Sequence, residues 1–160
     1  MSDSENQLHP EFDLENFLPF RLHQASEAVS QSFRSIYRKE FGMTRSEWRV
    51  LAHLGQFGAM TATEIGASAS LHKTKVSRAV YSLEQRRWLS RSPDQCDRRV
   101  HILSLTKSGA QAFRKLGEKA KAYNDQLTNK LGAKKMAQIL ELSDTLQQAV
   151  SANSSNKSKT

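Results

Sequence analysis

The 160-residue sequence predicts a mainly α-helical fold carrying one small β-hairpin. Three observations lead there. Apolar residues recur at three- and four-residue steps along successive stretches, each bounded by glycines or by capping signals. Two short alternating segments, Leu89–Ser92 and Val100–Leu105, flank a polar turn and read as paired strands. The helix just before this hairpin carries much of the positive charge. Lys73 to Arg99 holds eight basic residues against three acids (Glu84, Asp94, Asp97), a net five of the chain's eight positive charges. Helix, strand, charged turn and strand in that order make a winged helix-turn-helix, flanked here by surplus helices at both ends that suit dimerisation.

The elements follow in order. Residues 1–12 are polar and expected to be flexible. Pro19 suits the first turn of a helix, where its missing N–H is harmless. From there Leu22, Ala25, Val29, Phe33, Ile36 and Tyr37 form a stripe that runs to Gly42, placed for a left-handed cap. Thr44-Arg45-Ser46-Glu47 is a capping box and opens a second helix through Val50, Leu51 and Leu54 to Gly58. Thr61-Ala62-Thr63-Glu64 is another, opening a short third helix to about Ala69. In the fourth helix Val76, Val80 and Leu83 share a buried face, leaving Thr74, Arg78 and Tyr81 opposite, with Lys75 and Ser77 on the flanks.

Ser92-Pro93-Asp94-Gln95 reads as the turn of the hairpin, with Arg98 and Arg99 projecting from it and Asp97 bracing an arginine by a charge-assisted bond. Thr106 is placed to cap a fifth helix with the stripe Phe113, Leu116, Ala120, Tyr123 and Leu127. After Gly132 a sixth shows Met136, Ile139, Leu140, Leu146 and Val150. The first, fifth and sixth helices lack partners in a small winged helix, which argues for burial against a second copy of the chain; the alternative is a larger monomeric core. Residues 13–150 thus read as one domain, with dimerisation helices at about 13–42 and 107–150 and the DNA-binding winged helix at about 44–106. The tail 151–160, SANSSNKSKT, is expected to be disordered.

Short hydroxyls with Lys and Arg near a helix N-terminus suit phosphate and base-edge contact, and arginines on a wing suit a narrow minor groove. Lys73, Thr74, Lys75, Ser77, Arg78, Arg98 and Arg99 are therefore the candidate contacts to double-stranded DNA. An ordinary solvated helix face would look alike in isolation; the capped helix before it and the basic hairpin after it favour DNA. The single cysteine, Cys96, excludes an intrachain disulfide framework and a cysteine-rich zinc site. Five dispersed histidines show no metal-ligand spacing, and no glycine-rich phosphate loop or nucleophile motif is present, so neither enzyme, metal nor cofactor is expected. The acidic, polar start is no signal peptide, and no apolar run approaches the roughly 20 residues of a membrane helix. A cytoplasmic protein without membrane contact is expected.

The run from Ala62 to Gly109 resembles the MarR family of bacterial transcription regulators. Its motifs stand here as Lys75-Val76-Ser77-Arg78, Leu83-Glu84-Gln85-Arg86-Arg87-Trp88-Leu89, Asp97-Arg98-Arg99 and Leu105-Thr106-Lys107-Ser108-Gly109, and Met43-Thr44…Trp48…Leu51 resembles the start of the family's second helix. Two positions depart. Arg87-Trp88 replaces a common glycine-hydrophobic pair, so a different turn into the wing is expected, and His72 stands where an acid is frequent. The resemblance implies homodimers on pseudo-palindromic operators, often repressors released by a small aromatic acid bound between the dimerisation and DNA-binding regions. By position, Arg21, His23 and Trp48 are the candidates for such a ligand, against plain roles as a solvated charge, a surface histidine and a core aromatic. Cys96 lies near Arg98 and Arg99, which would favour its thiolate. The family's oxidant sensors carry their cysteine on the first helix, however, where this chain has none. The remaining alternative is a constitutive or architectural DNA binder without a ligand.

Overall fold

The computed structural model describes residues 12–155, with side chains as far as Ser151. After one 3-10 turn (Leu14–Asn16), the elements are α1 (Leu18–Phe41), α2 (Arg45–Phe57), β1 (Met60–Thr61), α3 (Ala62–Ser68), α4 (Lys73–Gln85), β2 (Leu89–Pro93), β3 (His101–Leu105), α5 (Lys107–Leu131) and α6 (Ala133–Ser155). The expected flexible start lies outside the described residues except for Phe12. The tail boundary needs correction, because α6 continues five residues past Val150: nothing in Ser151–Ser155 is a glycine or proline that would stop it. Two compact units divide the chain after Phe113.

In the first unit both capping boxes form. Thr44 Oγ1 accepts the Glu47 N–H at 3.3 Å while Glu47 Oε2 accepts the Thr44 N–H at 2.9 Å. Thr61 and Glu64 repeat the exchange at 3.2 and 2.7 Å. Gly42 adopts φ +60°, and the N–H groups of Gly42 and Met43 return to Arg38 and Tyr37 carbonyls to close α1. The core is Val50, Leu51 and Leu54 from α2, Ile65 from α3, Val76, Ala79, Val80 and Leu83 from α4, and Leu89 and Leu103 from the sheet. Phe33 and Tyr37 extend it along the C-terminal half of α1, and Met43 follows just past that helix.

The sheet has three strands, in the order β1-β3-β2, all antiparallel. Leu89 faces Leu105 and Pro93 faces His101, so the strand continues through the proline expected in the turn, and the turn itself occupies 94–100. The two-residue β1 was not expected; Met60 and Thr61 pair with Leu103 and Ile102, and Thr61 then caps α3.

Arg87 takes φ +57°, the left-handed conformation a glycine would occupy. Packing around it demands this bend. Thr106 Oγ1 donates to the Arg87 carbonyl at 2.7 Å, and a Cβ on Gly109 would stand 1.9 Å from the Trp88 carbonyl oxygen. Gly109 therefore admits the chain after Arg87 against the start of α5, while Thr106 caps that helix by accepting the Gly109 N–H at 3.1 Å.

The N-terminal half of α1 exposes its apolar stripe: Leu18, Leu22 and Val29 are each about half exposed, as are Phe12 and Phe17. Within the second unit, Ile139, Leu140 and Val150 of α6 are likewise exposed, whereas Ala120, Tyr123 and Leu127 on α5 are half-buried. No helix among the described residues is long and apolar enough to cross a membrane.

Candidate nucleic-acid interface

Helices α3 and α4 meet through a tight turn. Ser70 takes φ +50°, the N–H groups of Ala69 and Leu71 return to Ile65 and Gly66 carbonyls, and Arg49 of α2 donates to the Ala69 carbonyl at 3.1 Å. This fixes where α4 begins. His72 is its cap: Nδ1 accepts the Thr74 N–H at 3.4 Å, so the imidazole takes the capping role.

Burial divides α4 as its pattern requires. Val76, Ala79, Val80 and Leu83 are buried, while Lys73, Thr74, Lys75, Ser77 and Arg78 are all exposed on one outward surface. Tyr81, 62% exposed, lies one turn beyond Arg78 and extends that surface; its outward position was legible, its membership of the candidate contacts was not assigned. This face offers two ammonium groups, one guanidinium and two hydroxyls, the donor set for phosphate oxygens and for the guanine edge.

The wing tip is ordered by two carboxylates. Asp94 accepts the N–H groups of Cys96 and Asp97 at 2.8 and 3.0 Å, and these bonds, that to Asp97 foremost, hold its pKa below the usual carboxylate value. Asp97 accepts the Arg99 backbone N–H at 2.9 Å. The brace expected of Asp97 therefore grips the main chain two residues on, and no ion pair to Arg98 or Arg99 is found among the described residues. Arg98 and Arg99 are exposed at the tip.

Two of the eight basic residues in the segment turn inward to structure. Arg91 of β2 donates from Nε and an Nη to the two Glu84 oxygens of α4, both at 2.7 Å, a bidentate tie between helix and wing. Arg86 donates to the carbonyls of Phe41 and Gly42 at 2.6 Å each, stands 3.8 Å from the buried Glu47 carboxylate, and lies 5.2 Å over the Trp88 ring. It thereby satisfies carbonyls at the C-terminal end of α1. No signal in one dimension separates these two arginines from their free neighbours, because their partners lie 7 and about 45 residues away.

A mostly apolar cavity of about 570 Å³ lies between α3, α4 and β2, lined among others by Leu71, Val76, Ser77 and Arg91. The proposed ligand residues are elsewhere. Arg21 and His23 are exposed on α1, and Trp48 is half-buried with its ring 5.5 Å from that of Phe33; none of the three lines this cavity.

Residues 41–100 match the model of the MarR family. An HTH-type transcriptional regulator of Bacillus subtilis (strain 168), YwoH, is 29% identical over 112 residues, covering 66% of this chain and 78% of its own. Among solved structures, the transcriptional regulator PA4135 is 27% identical with a TM-score of 0.76, over 82% of this chain and 96% of that one. The MarR family regulator SPO1453 from Silicibacter pomeroyi DSS-3 is 26% identical with a TM-score of 0.76, over 88% and 99%. NadR, solved in complex with 4-hydroxyphenylacetate, shares the fold at 23% identity and a TM-score of 0.76, over 85% and 98%. With the outward basic helix and the wing that follows it, these matches show that the chain is similar to the MarR family over residues 41–100 and shares the winged-helix fold of the solved regulators.

Proposed function

We propose that the protein is a repressor that binds a pseudo-palindromic operator as a homodimer and releases it on binding a small aromatic acid. The observation that carries the DNA-binding part is the division of α4: every residue proposed to touch DNA is exposed while the intervening apolar residues are buried. Thr74, Ser77 and Arg78 are assigned to the major groove, Lys73 and Lys75 to its phosphates, and Arg98 and Arg99 to the flanking minor groove. The exposed apolar stripes of α1 and α6 support a twofold partner, since contiguous apolar surface of this kind marks an interface. Two copies would present two α4 helices to half-sites about one helical turn apart.

Support for the ligand is the aromatic acid in the NadR complex, together with a cavity of suitable size beneath α4. A ring wedged between α3, α4 and β2 would shift the reading helix against the wing. Trp48, with Arg21 and His23 from α1, is the other candidate place.

Selection of a preferred duplex from a random pool, followed by titration, tests the reading. Specific binding should exceed random-duplex binding by about 10³-fold or more at physiological salt, and equal affinity would instead favour an architectural binder. Arg78→Ala should cost about 1–3 kcal/mol and relax preference at one base position. A uniform loss over all sequences would leave Arg78 a phosphate contact only. Release of the operator by 4-hydroxyphenylacetate or another aromatic acid tests the ligand, and a protein that no such acid releases is a constitutive repressor.

A further inference from the structure

Helix α4 carries one side chain that neither the core nor the hydrogen-bond network accounts for. Tyr81 is 62% exposed and, among the described residues, is the only exposed large apolar residue on α4. At 100° per residue, Thr74, Arg78 and Tyr81 fall within about 60° of one another. They lie opposite the buried Val76, Ala79, Val80 and Leu83. Among the described residues the Tyr81 hydroxyl has no hydrogen-bond partner and its ring stacks on no other ring. Nor does helix stability explain it, since tyrosine is a poorer helix former than alanine, lysine or glutamine.

The neighbours of Tyr81 define what it can meet. Lys73, Lys75, Ser77 and Arg78 present ammonium, hydroxyl and guanidinium groups, which suit phosphate oxygens and the acceptors of base edges. Apart from the Thr74 γ-methyl, nothing else on this face matches the C5 methyl of thymine, the apolar group displayed in the major groove. Tyr81 supplies apolar surface of aromatic size. From Thr74 to Tyr81 the helix runs about 10 Å, against a groove about 12 Å wide. A helix seated there can bring both residues to base edges.

We propose, on the reading of α4 as the major-groove helix given above, that Tyr81 is a specificity-determining residue whose ring packs against a thymine C5 methyl in each half-site. Arg78 lies one turn away, about 4.5 Å along the axis, against roughly 3.4 Å per base pair. The thymine therefore stands roughly one or two base pairs from the pair that Arg78 reads. The contact is stabilised by removing methyl and ring surface from water. It involves no charge, so losing it leaves the salt dependence of binding unchanged.

The test uses the full chain and its preferred duplex from a random pool, with each thymine replaced in turn by deoxyuridine, which lacks only that methyl. One replacement within two base pairs of the Arg78-dependent pair should weaken wild-type binding about fourfold, the worth of one buried methyl. Tyr81→Ala should bind the thymine duplex more weakly, be indifferent to the same replacement and keep the wild-type salt slope. Tyr81→Phe should keep the thymine preference, because the ring remains. A urea midpoint for Tyr81→Ala at or above that of the wild type would show that weaker binding is not unfolding. Equal deoxyuridine effects in wild type and Tyr81→Ala, or none near the Arg78-dependent pair, would overturn the proposal. So would a loss in Tyr81→Phe as large as in Tyr81→Ala, the mark of a hydroxyl bound to phosphate. A protein with no preferred duplex would overturn the operator reading as well, whereas a preference that depends on Arg78 but not on Tyr81 would overturn this proposal alone.

Discussion

At Arg87 the backbone holds φ +57°, a conformation that costs a residue with a Cβ about 1 kcal/mol or more. The neighbours impose it, since Thr106 binds the Arg87 carbonyl and Gly109 leaves no room for another path. Arg87→Gly should then raise stability by roughly 0.5–1 kcal/mol, the relief of strain less the extra freedom glycine gains when unfolded. A higher urea midpoint at unchanged slope would show it; a lower midpoint would mean that the guanidinium makes up for the strain. The sequence shows that Arg87 departs from the family pattern but not that it takes a left-handed backbone, because the demand arises from a residue 19 positions on. Asp97 carries a similar lesson. Its carboxylate reaches an N–H two residues away without ordering a long side chain, and that local bond takes the place of the expected grip on a guanidinium.

Among the elements, those with local signals were the most legible. Each capping box lies within four residues, so Thr44–Glu47 and Thr61–Glu64 place the starts of α2 and α3 directly. Strand β1 had no such signal: two residues are too few to alternate, and only pairing with β3 makes them a strand. The wing's attachment to α4 is likewise tertiary, through the bidentate Glu84–Arg91 pair. Their side chains are 25% and 42% exposed, so water screens much of the attraction. A double-mutant cycle with Glu84→Ala and Arg91→Ala should return a coupling of roughly 0.5–1 kcal/mol in folding stability. Strict additivity would show that the wing is held by strand pairing alone.

For the whole molecule, the exposed stripes of α1 and α6 were legible as apolar spacing, and the basic footprint as a count of charges. The count overstates what DNA can meet, because Arg86 and Arg91 are committed to internal partners. With Arg87, which holds the bend after α4 and is not among the proposed contacts, also set aside, Lys73, Lys75, Arg78, Arg98 and Arg99 remain as the proposed contacts of one chain. If the proposed dimer sets all ten against phosphates, log affinity for operator should fall with log salt with a slope of about −9 at most. A slope near −14, the value for all eight basic residues in both copies, would show that Arg87 and the inward arginines also reach DNA. A slope near −4.5 would fit one protomer engaging at a time.

Arg86 fastens the C-terminal end of α4 to the C-terminal end of α1, while the residues assigned to DNA begin at the opposite end of α4. The 13-residue helix is about 18 Å long from this anchor to its N-terminal end. A rotation of about 5° at the anchor would carry that end roughly 1.5 Å, beyond the few tenths of an ångström that a hydrogen bond to a base edge tolerates. A shift of α1 that reached α4 through Arg86 would therefore be felt at Lys73 and Thr74 only if the α3–α4 turn and the buried face of α4 gave way with it.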